Sequence, residues 1–188
     1  MTLSSVIFRP YRSLGLVSSD VPFVVKYKPH SKEYNVLVPV GERFNIYQLP
    51  NLRLLGISDC LPTNIIAFTS DRSYVYGASK NVIYAFRGLH HIHFKLEGHN
   101  SPIRKIIAFE DRYLASYDEA GLFILWNLQT RESLSQTVFS TNVFDISSMC
   151  HPTGYGDKLL LGSSQGPLQL WKTLAKKSIY WFRGFDSS

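Results

Sequence analysis

The sequence has little cysteine and no long apolar run. Cys60 and Cys150 are the only cysteines among its 188 residues, too few for a disulfide framework or a four-cysteine zinc site, which fits a reducing compartment. No stretch approaches the roughly 18 uncharged apolar residues of a membrane span. The first residues reach Arg9 before any apolar run long enough for a signal peptide. We therefore expect neither a secreted nor a membrane protein.

Motifs for catalysis are also absent. The chain contains no P-loop, dinucleotide fingerprint, paired-carboxylate motif or GxSxG elbow. His90, His91 and His93 are the strongest metal-ligand candidates, but only His91 and His93 would share one face of a strand. No cysteine or acidic pair completes that set, so an exposed strand is favoured over a metal site. The sequence predicts no enzyme, no cofactor, no metal and no small-molecule substrate.

What the chain does contain is apolar and aromatic. Hydrophobic residues make up 45% and charged residues 18%, a balance that allows a buried core and is not typical of disordered chains. Aromatic residues reach 14%, with 12 Phe and 11 Tyr, which favours β-strands. The formal net charge is +6 at pH 7, which is compatible with a nucleic-acid environment and does not require one.

An internal repeat organises the sequence. Four segments align without gaps, each an apolar strand, a short polar turn and a second apolar strand that ends in an aromatic residue. They span residues 34–49, 73–88, 113–128 and 158–173, with the aromatic anchors Tyr47, Phe86, Trp126 and Trp171. Successive anchors are 39, 40 and 45 residues apart, close to the ~40–45 residues of a WD-repeat blade. Runs such as Leu122 to Trp126 are apolar on both faces, as a strand buried between two stacked sheets must be.

The repeat predicts an all-β fold, an incomplete WD-repeat β-propeller of about four blades of antiparallel four-stranded sheet. Further strands are expected before each hairpin, as at Ile65–Phe68, Ile103–Phe109 and Phe144–Met149, and after each anchor, as at Ile92–Leu96. The predicted organisation is an N-terminal segment 1–20, a partial propeller 21–183 and a tail 184–188, with blades at roughly 21–57, 62–97, 98–139 and 142–183. A closed ring of four blades is the alternative, because propellers have about four to eight.

The third unit carries the clearest WD-repeat signature. Gly98-His99 precedes Trp126 by 27 residues, and in such repeats the His bonds a buried Asp while the Trp closes the blade. The Asp usually lies six residues before the Trp, where this chain has Ala120 and, in the fourth unit, Gln165. Asp118 lies nearby but out of register, so we expect an incomplete polar network. The predicted structural residues are Gly98, His99, Trp126 and Trp171, with Tyr47 and Phe86 as weaker anchors.

Two stretches resemble the family of WD repeat-containing protein 36, a group of U3 small-nucleolar-RNA-associated WD-repeat proteins. They are FRPYRSLGLVSSDVPFVVKY, residues 8–27, and FKLEGHNSPIRKIIAFEDRYLASYDEAGLFILWNL, residues 94–128. The likeness covers essentially this whole chain and the N-terminal part of the family's longer protein.

The resemblance implies a non-catalytic scaffold of the UTP-B subcomplex in the nucleolar small-subunit processome. Its implied partners are other UTP-B WD-repeat proteins, U3 RNA and pre-ribosomal RNA. A generic protein-interaction adaptor outside ribosome assembly is the alternative.

Basic residues form small groups that could contact RNA phosphates. The candidates are Arg9, Arg12, Arg104, Lys105, Lys176 and Lys177. Such contacts would give affinity without reading bases, and with a strong dependence on salt. An ordinary solvated surface is the alternative interpretation of the same residues.

Overall fold

The structure is a computed structural model that describes residues 20–29, 31–88 and 90–182. The described residues form sixteen β-strands in four four-stranded sheets and no helix. No helix in the described residues is long and apolar enough to cross a membrane. The all-β prediction is therefore confirmed.

Each sheet is built from four consecutive strands. The first contains β1 Val24–Lys28, β2 Glu33–Val40, β3 Arg43–Gln48 and β4 Arg53–Ile57; the second β5 Ala67–Ser70, β6 Val75–Ser79, β7 Val82–Arg87 and β8 His91–Glu97; the third β9 Ile103–Phe109, β10 Tyr113–Asp118, β11 Leu122–Asn127 and β12 Glu132–Val138; the fourth β13 Ile146–Cys150, β14 Lys158–Ser163, β15 Leu168–Lys172 and β16 Lys177–Phe182. Neighbouring strands pair antiparallel in chain order. Each sheet lies within the blade limits predicted for it, whereas most of segment 1–20 and all of the tail 184–188 lie outside the described residues.

The four aromatic anchors occupy the same place in their sheets. In every sheet the pairing of the third strand with the fourth shifts register immediately before the anchor, at Tyr47, Phe86, Trp126 and Trp171. Such a bulge bends the strand and strengthens its twist. The repeat seen in the sequence is thus also a repeat of backbone irregularity.

Two of the predicted inner strands begin later than expected. Ile65 and Leu61 donate backbone hydrogen bonds to Gly41 and Glu42, in the turn of the preceding sheet, so β5 begins only at Ala67. Likewise Phe144 donates its backbone N–H to the carbonyl of Ser140 within a turn, and β13 begins at Ile146. These apolar residues are buried as connections that join adjacent sheets, which an apolar run alone does not distinguish from a strand.

The sheets stack face to face through three hydrophobic cores, one at each junction. Alternation along a strand divides the side chains of the second sheet between two cores. Val75 and Phe86 pack towards the first sheet, while Tyr76 and Ala85 pack towards the third. Burial on both faces explains why the central strands consist mainly of consecutive apolar residues.

The first strands of adjacent sheets contact one another, β1 with β5, β5 with β9 and β9 with β13. This places them on the inner side of the stack, with β4, β8, β12 and β16 outermost. The propeller formed by the described residues is not closed, so the alternative of a four-bladed ring is wrong.

Candidate functional site

The third sheet contains a buried polar network centred on His99. The ring Nδ1 of His99 lies 2.8 Å from Oδ2 of Asp118, and its Nε2 lies 2.6 Å from the Ser116 hydroxyl. That hydroxyl also accepts a hydrogen bond from the indole Nε1 of Trp126, at 2.8 Å. The second carboxylate oxygen of Asp118 accepts the backbone N–H groups of Ala120 and Leu122. The network thus ties the start of the third sheet to both strands of its central hairpin.

One direction of proton donation satisfies every member of this network. Trp126 donates to Ser116, Ser116 donates to Nε2 of His99, and Nδ1–H of His99 donates to Asp118. This order leaves the imidazole neutral, and it uses the shorter contact of the Ser116 hydroxyl, because the other acceptor within reach, the Ile124 carbonyl, is 3.4 Å away. Burial lowers the pKa of His99, against the opposing effect of the Asp118 carboxylate. A neutral, fully bonded histidine inside a core is a structural element and not an accessible general base.

Gly98 is required by the position of the Trp126 ring. A Cβ placed on Gly98 would lie 2.9 Å from Cη2 of that indole and 3.5 Å from Cδ1 of Ile124. Since the first distance is shorter than real Cβ contacts, any larger residue would displace the tryptophan from Ser116. Gly98 lets the backbone approach the Trp126 ring closely, and His99 beside it belongs to the hydrogen-bond network that holds the same ring.

The prediction that this network is incomplete is wrong for the third sheet. Asp118 is the last residue of β10 and bonds His99 directly, although it precedes Trp126 by eight residues instead of six. Asp118 lies at the end of the strand, directly before the three residues that connect β10 to β11. The carboxylate therefore reaches His99 from the strand end instead of from the turn.

In the fourth sheet no equivalent network forms around Trp171. Leu161 occupies the position that Ser116 holds in the third sheet, and the buried Nε1 of Trp171 has no hydrogen-bond partner. Aromatic rings replace the polar groups, with Phe139 packed 5.0 Å from Trp171 between ring centroids. Tyr47 and Phe86 are likewise buried, at 5% and 0% exposure. The anchors thus share a backbone position but not a chemistry.

Protonation of His99 should make stability depend on pH in one direction. Its folded-state pKa is lowered, so below the ordinary value of about 6.5 the unfolded chain binds a proton that the folded chain resists. We expect the His99 contribution to be constant above about pH 6.5 and to be lost as pH falls, by at most about 1.4 kcal/mol per pH unit. Urea unfolding between neutral and mildly acidic pH measures it. His99→Gln should flatten the profile, whereas exposed His93→Gln should not; equal profiles for both variants would contradict the assignment.

The candidate RNA-contact residues do not converge. Arg9 and Arg12 lie outside the described residues. Arg104 Nη1 donates to both oxygens of Asp145, at 2.9 and 3.0 Å, so its charge is partly compensated. Lys105 is exposed on the inner strand β9, whereas Lys176 and Lys177 are exposed where β15 turns into β16. RNA contact by these residues stays a prediction.

Sequence reasoning missed the carboxylate that holds Arg104. Asp145 joins the third sheet to the fourth, because Tyr117 of β10 donates its hydroxyl to the same carboxylate at 3.1 Å. Burial raises the pKa of Tyr117 to about 12. No motif marks this cluster, since Tyr117 and Arg104 lie 28 and 41 residues before Asp145.

An open, charged cavity of about 590 Å³ lies at the ends of the inner strands β1, β5 and β9. Lys26 of β1 donates to the carbonyl of Tyr74 at 3.1 Å, and burial lowers the pKa of its ammonium group. Opposite, Asp71 accepts the hydroxyl of Tyr76 at 2.6 Å, and the pKa of that phenol is raised, chiefly by burial. The carboxylates of Asp71 and Asp111 favour the charged lysine. These charges compensate one another and hold the turns of the first three sheets together.

The histidine cluster has no metal-site geometry. His91 pairs with Asp59 at 3.4 Å, and the rings of His90 and His91 lie 4.1 Å apart. Within residues 20–29, 31–88 and 90–182, no three His, Cys, Asp or Glu side chains are grouped to hold a metal ion. Cys60 and Cys150 are both free and exposed.

Four-stranded sheets repeat along the chain, their first strands lie together on the inner side, and one sheet contains a His-Asp-Ser-Trp network. These features define a WD-repeat β-propeller protein. A solved chain from a crystal structure of the mitotic checkpoint complex has the same fold, with a TM-score of 0.68 over 86% of this chain and 50% of that one. At 14% identity, this likeness shows the fold alone.

Sequence comparison identifies the family. Residues 36–188 match the family model described as the WDR36/Utp21 first beta-propeller. The chain is 35% identical over 182 residues to WD repeat-containing protein 36 of Homo sapiens, and 29% identical over 185 residues to the U3 small nucleolar RNA-associated protein 21 homolog of Schizosaccharomyces pombe. These alignments cover 97% and 96% of this chain but 20% of each relative. The chain therefore belongs to the WDR36/Utp21 family, which confirms the resemblance seen in the sequence, and spans about a fifth of the length of these curated relatives.

Proposed function

We propose that this chain is a non-catalytic scaffold in small ribosomal subunit biogenesis, acting with the U3 small nucleolar ribonucleoprotein in the processing of pre-ribosomal (18S) RNA. The observation that carries the proposal is membership of a family whose relatives are named as U3 small nucleolar RNA-associated proteins. Its setting would be the small-subunit processome in the nucleolus. Its partners would be other WD-repeat proteins of the UTP-B subcomplex, together with U3 and pre-ribosomal RNA.

The geometry supports a scaffold better than an enzyme. His99, which sits beside a carboxylate and a hydroxyl, is buried at 3% exposure, and its bonds are internal. The stacked sheets instead present wide surfaces at both ends of the described stack. The outward face of the fourth sheet carries Leu168, Tyr180 and Phe182, all exposed, and apolar faces of this kind are typical of protein contacts.

Affinity purification of the tagged chain, with mass spectrometry and RNA sequencing of the recovered material, tests the proposal. We expect UTP-B proteins, U3 RNA and precursor ribosomal RNA to be enriched, with nucleolar fluorescence of the tagged protein. A coherent set of unrelated partners with diffuse cytoplasmic fluorescence would favour an adaptor outside ribosome assembly instead. Recovery of chaperones alone would contradict a role for this part of the family's protein in assembly.

A salt series tests direct RNA contact by the described lysines. If Lys105, Lys176 and Lys177 each neutralise a phosphate, replacing all three with Gln should reduce the slope of log affinity against log salt by roughly 2, since each contact to a single strand contributes about 0.7. Filter binding to a single-stranded RNA oligonucleotide measures the slope. Lys95→Gln, an exposed lysine of β8, is the control and should leave it unchanged. An unaltered slope in the triple variant would assign these lysines to the solvated surface.

A further inference from the structure

A groove of about 280 Å³ opens between the first and second sheets, beside the outer strand β4. We call it the first-junction groove. Its walls are apolar, because Ile46 belongs to the core between these sheets and Leu55 and Ile57 are 40% and 50% exposed. Gly56 leaves a gap in this wall, since a Cβ placed there would meet no other part of the chain within 4 Å. The remaining lining residues are Lys28, Gly88 and His90.

The next junction, between the second and third sheets, fills the equivalent position from within the chain. Gly56 pairs with Ile46 in the first sheet and Phe94 pairs with Ala85 in the second, each directly before the register shift at the anchor. Phe94 packs against the core between the second and third sheets. Arg131, from the turn between β11 and β12, lies over this phenyl ring, with 4.6 Å between the guanidinium carbon and the ring centroid. The same place in the repeat therefore holds an aromatic ring beneath a cation.

The first-junction groove has a cation but no ring at this place. Lys28 lines the groove, and its ammonium lies 3.1 Å from the side-chain amide of the buried Asn35, whose oxygen accepts from it when the amide is oriented to satisfy both of its polar atoms. An ammonium held in this way can pack on the face of a ring. The turn that contains Gly88 and His90 also lines the groove, and it corresponds in the second sheet to the turn that supplies the cation at the next junction.

The charges around the groove favour an uncharged occupant over a phosphate. No carboxylate lines the groove among the described residues, but two flank it. Glu33 is the ladder partner of Lys28, and Asp59 donates its backbone N–H to the carbonyl of His90. Because these carboxylates would repel a phosphate group, the groove suits an aromatic side chain of a protein better than a nucleotide.

We propose that the first-junction groove binds an aromatic side chain from a peptide segment of a partner protein, inserted against Gly56 with its face towards the Lys28 ammonium. The partner then supplies the ring that Phe94 supplies within the next junction. The proposal goes beyond the ribosomal role above, because it rests on a comparison of two junctions of the same chain.

Filling the groove from within the chain gives a direct test. Gly56→Phe places a phenyl ring at the position equivalent to Phe94, so it should raise the urea midpoint of unfolding and abolish binding of an aromatic ligand. Gly56→Ala is the matched control, because it also replaces a strand glycine but leaves the groove open, and it should bind like the parent. If Gly56→Phe bound the ligand like Gly56→Ala, the proposal would be wrong.

Titration with N-acetyl-phenylalanine amide, followed by NMR of ¹⁵N-labelled protein, measures the binding. We expect the backbone amide signals of Gly56 and Gly88 to shift saturably, while the signal of Gly162 in the fourth sheet stays fixed. Uridine monophosphate, which combines a ring with a phosphate, should bind more weakly at the same signals. Tighter binding of uridine monophosphate would assign the groove to a nucleotide and overturn the proposal.

Lys28→Gln tests the cation without changing the walls. It should weaken the phenylalanine probe about two- to fivefold, the equivalent of an exposed cation–π contact of about 0.5–1 kcal/mol. Binding of N-acetyl-cyclohexylalanine amide, which has a similar shape but no π face, should not change. Lys105→Gln, at an exposed lysine of β9, should affect neither probe. Equal losses for both probes in Lys28→Gln, or no shift of the Gly56 and Gly88 signals with the phenylalanine probe, would overturn the proposal.

Discussion

Replacing Trp126 with Ala is expected to lower the free energy of unfolding by about 3–5 kcal/mol, the range for truncating a large aromatic side chain in a core. Trp126 is 3% exposed and packs in the core between the second and third sheets, with Ile124 and Leu128. Its removal leaves a cavity against Gly98, and it also removes the donor to Ser116 that begins the chain of hydrogen bonds to Asp118. Urea unfolding followed by circular dichroism measures the loss.

Two comparisons separate packing from hydrogen bonding. Trp181→Ala, at a residue that is 52% exposed, should cost much less than Trp126→Ala. Trp126→Phe keeps most of the ring but removes a donor that is bonded, whereas Trp171→Phe removes a donor that has no partner. The first should therefore lose about 0.5–1.5 kcal/mol more than the second, the net value of one hydrogen bond. Equal losses for the two Phe variants would show that the network adds nothing to stability.

Most of the fold is predictable because blade stacking constrains the sequence directly. A central strand buried on both faces is largely apolar, as at Phe123 to Trp126 of β11, and an apolar hairpin recurs once per blade. The aromatic anchors recur too, since each follows the same register shift. The spacing of these features is therefore enough to locate the four hairpins.

The details of the site are less predictable because they depend on turn length. A gapless alignment of the four hairpins conceals connections of two, two, three and four residues. Asp118 lies two residues before the position where the repeat pattern places an Asp, and only the folded hairpin shows that its carboxylate bonds His99. The pairing of Arg104 with Asp145 joins two sheets across 41 residues, and no local pattern encodes such a contact.

The Trp171 indole, which has no hydrogen-bond partner, shows a third reason why the sequence alone does not predict the site. The repeat aligns Trp171 with Trp126 and predicts the same role for both, because both close a central strand. What differs is the diagonal neighbour on the preceding strand, Leu161 instead of Ser116. Only the register of the folded strands shows that an equivalent side chain has lost its acceptor and now borders a groove.

Replacing Asp118 with Ala is expected to lower the free energy of unfolding by about 3–5 kcal/mol, as much as truncating Trp126, because it removes the shared acceptor of three donors and a donor left unpaired costs about 1–3 kcal/mol. The Asp118 side chain is 1% exposed and accepts from three donors, which are His99 and the backbone N–H groups of Ala120 and Leu122. Alanine would leave all three without their acceptor inside the protein. Asp118→Asn retains one carbonyl oxygen, which can still accept from the two backbone groups, so we expect it to lose less than the alanine variant.

Glu119→Ala is the matched control, because Glu119 directly follows Asp118, as the first residue of the connection between β10 and β11, and is exposed. Its loss should stay within about 0.5 kcal/mol, as for surface substitutions in general. Thermal or urea unfolding of the three variants should therefore rank them Glu119→Ala, Asp118→Asn, Asp118→Ala in order of increasing loss. If Asp118→Ala unfolded like Glu119→Ala, the carboxylate would not be the element that holds His99 and the hairpin together, and the stability of the blade would rest on apolar packing alone.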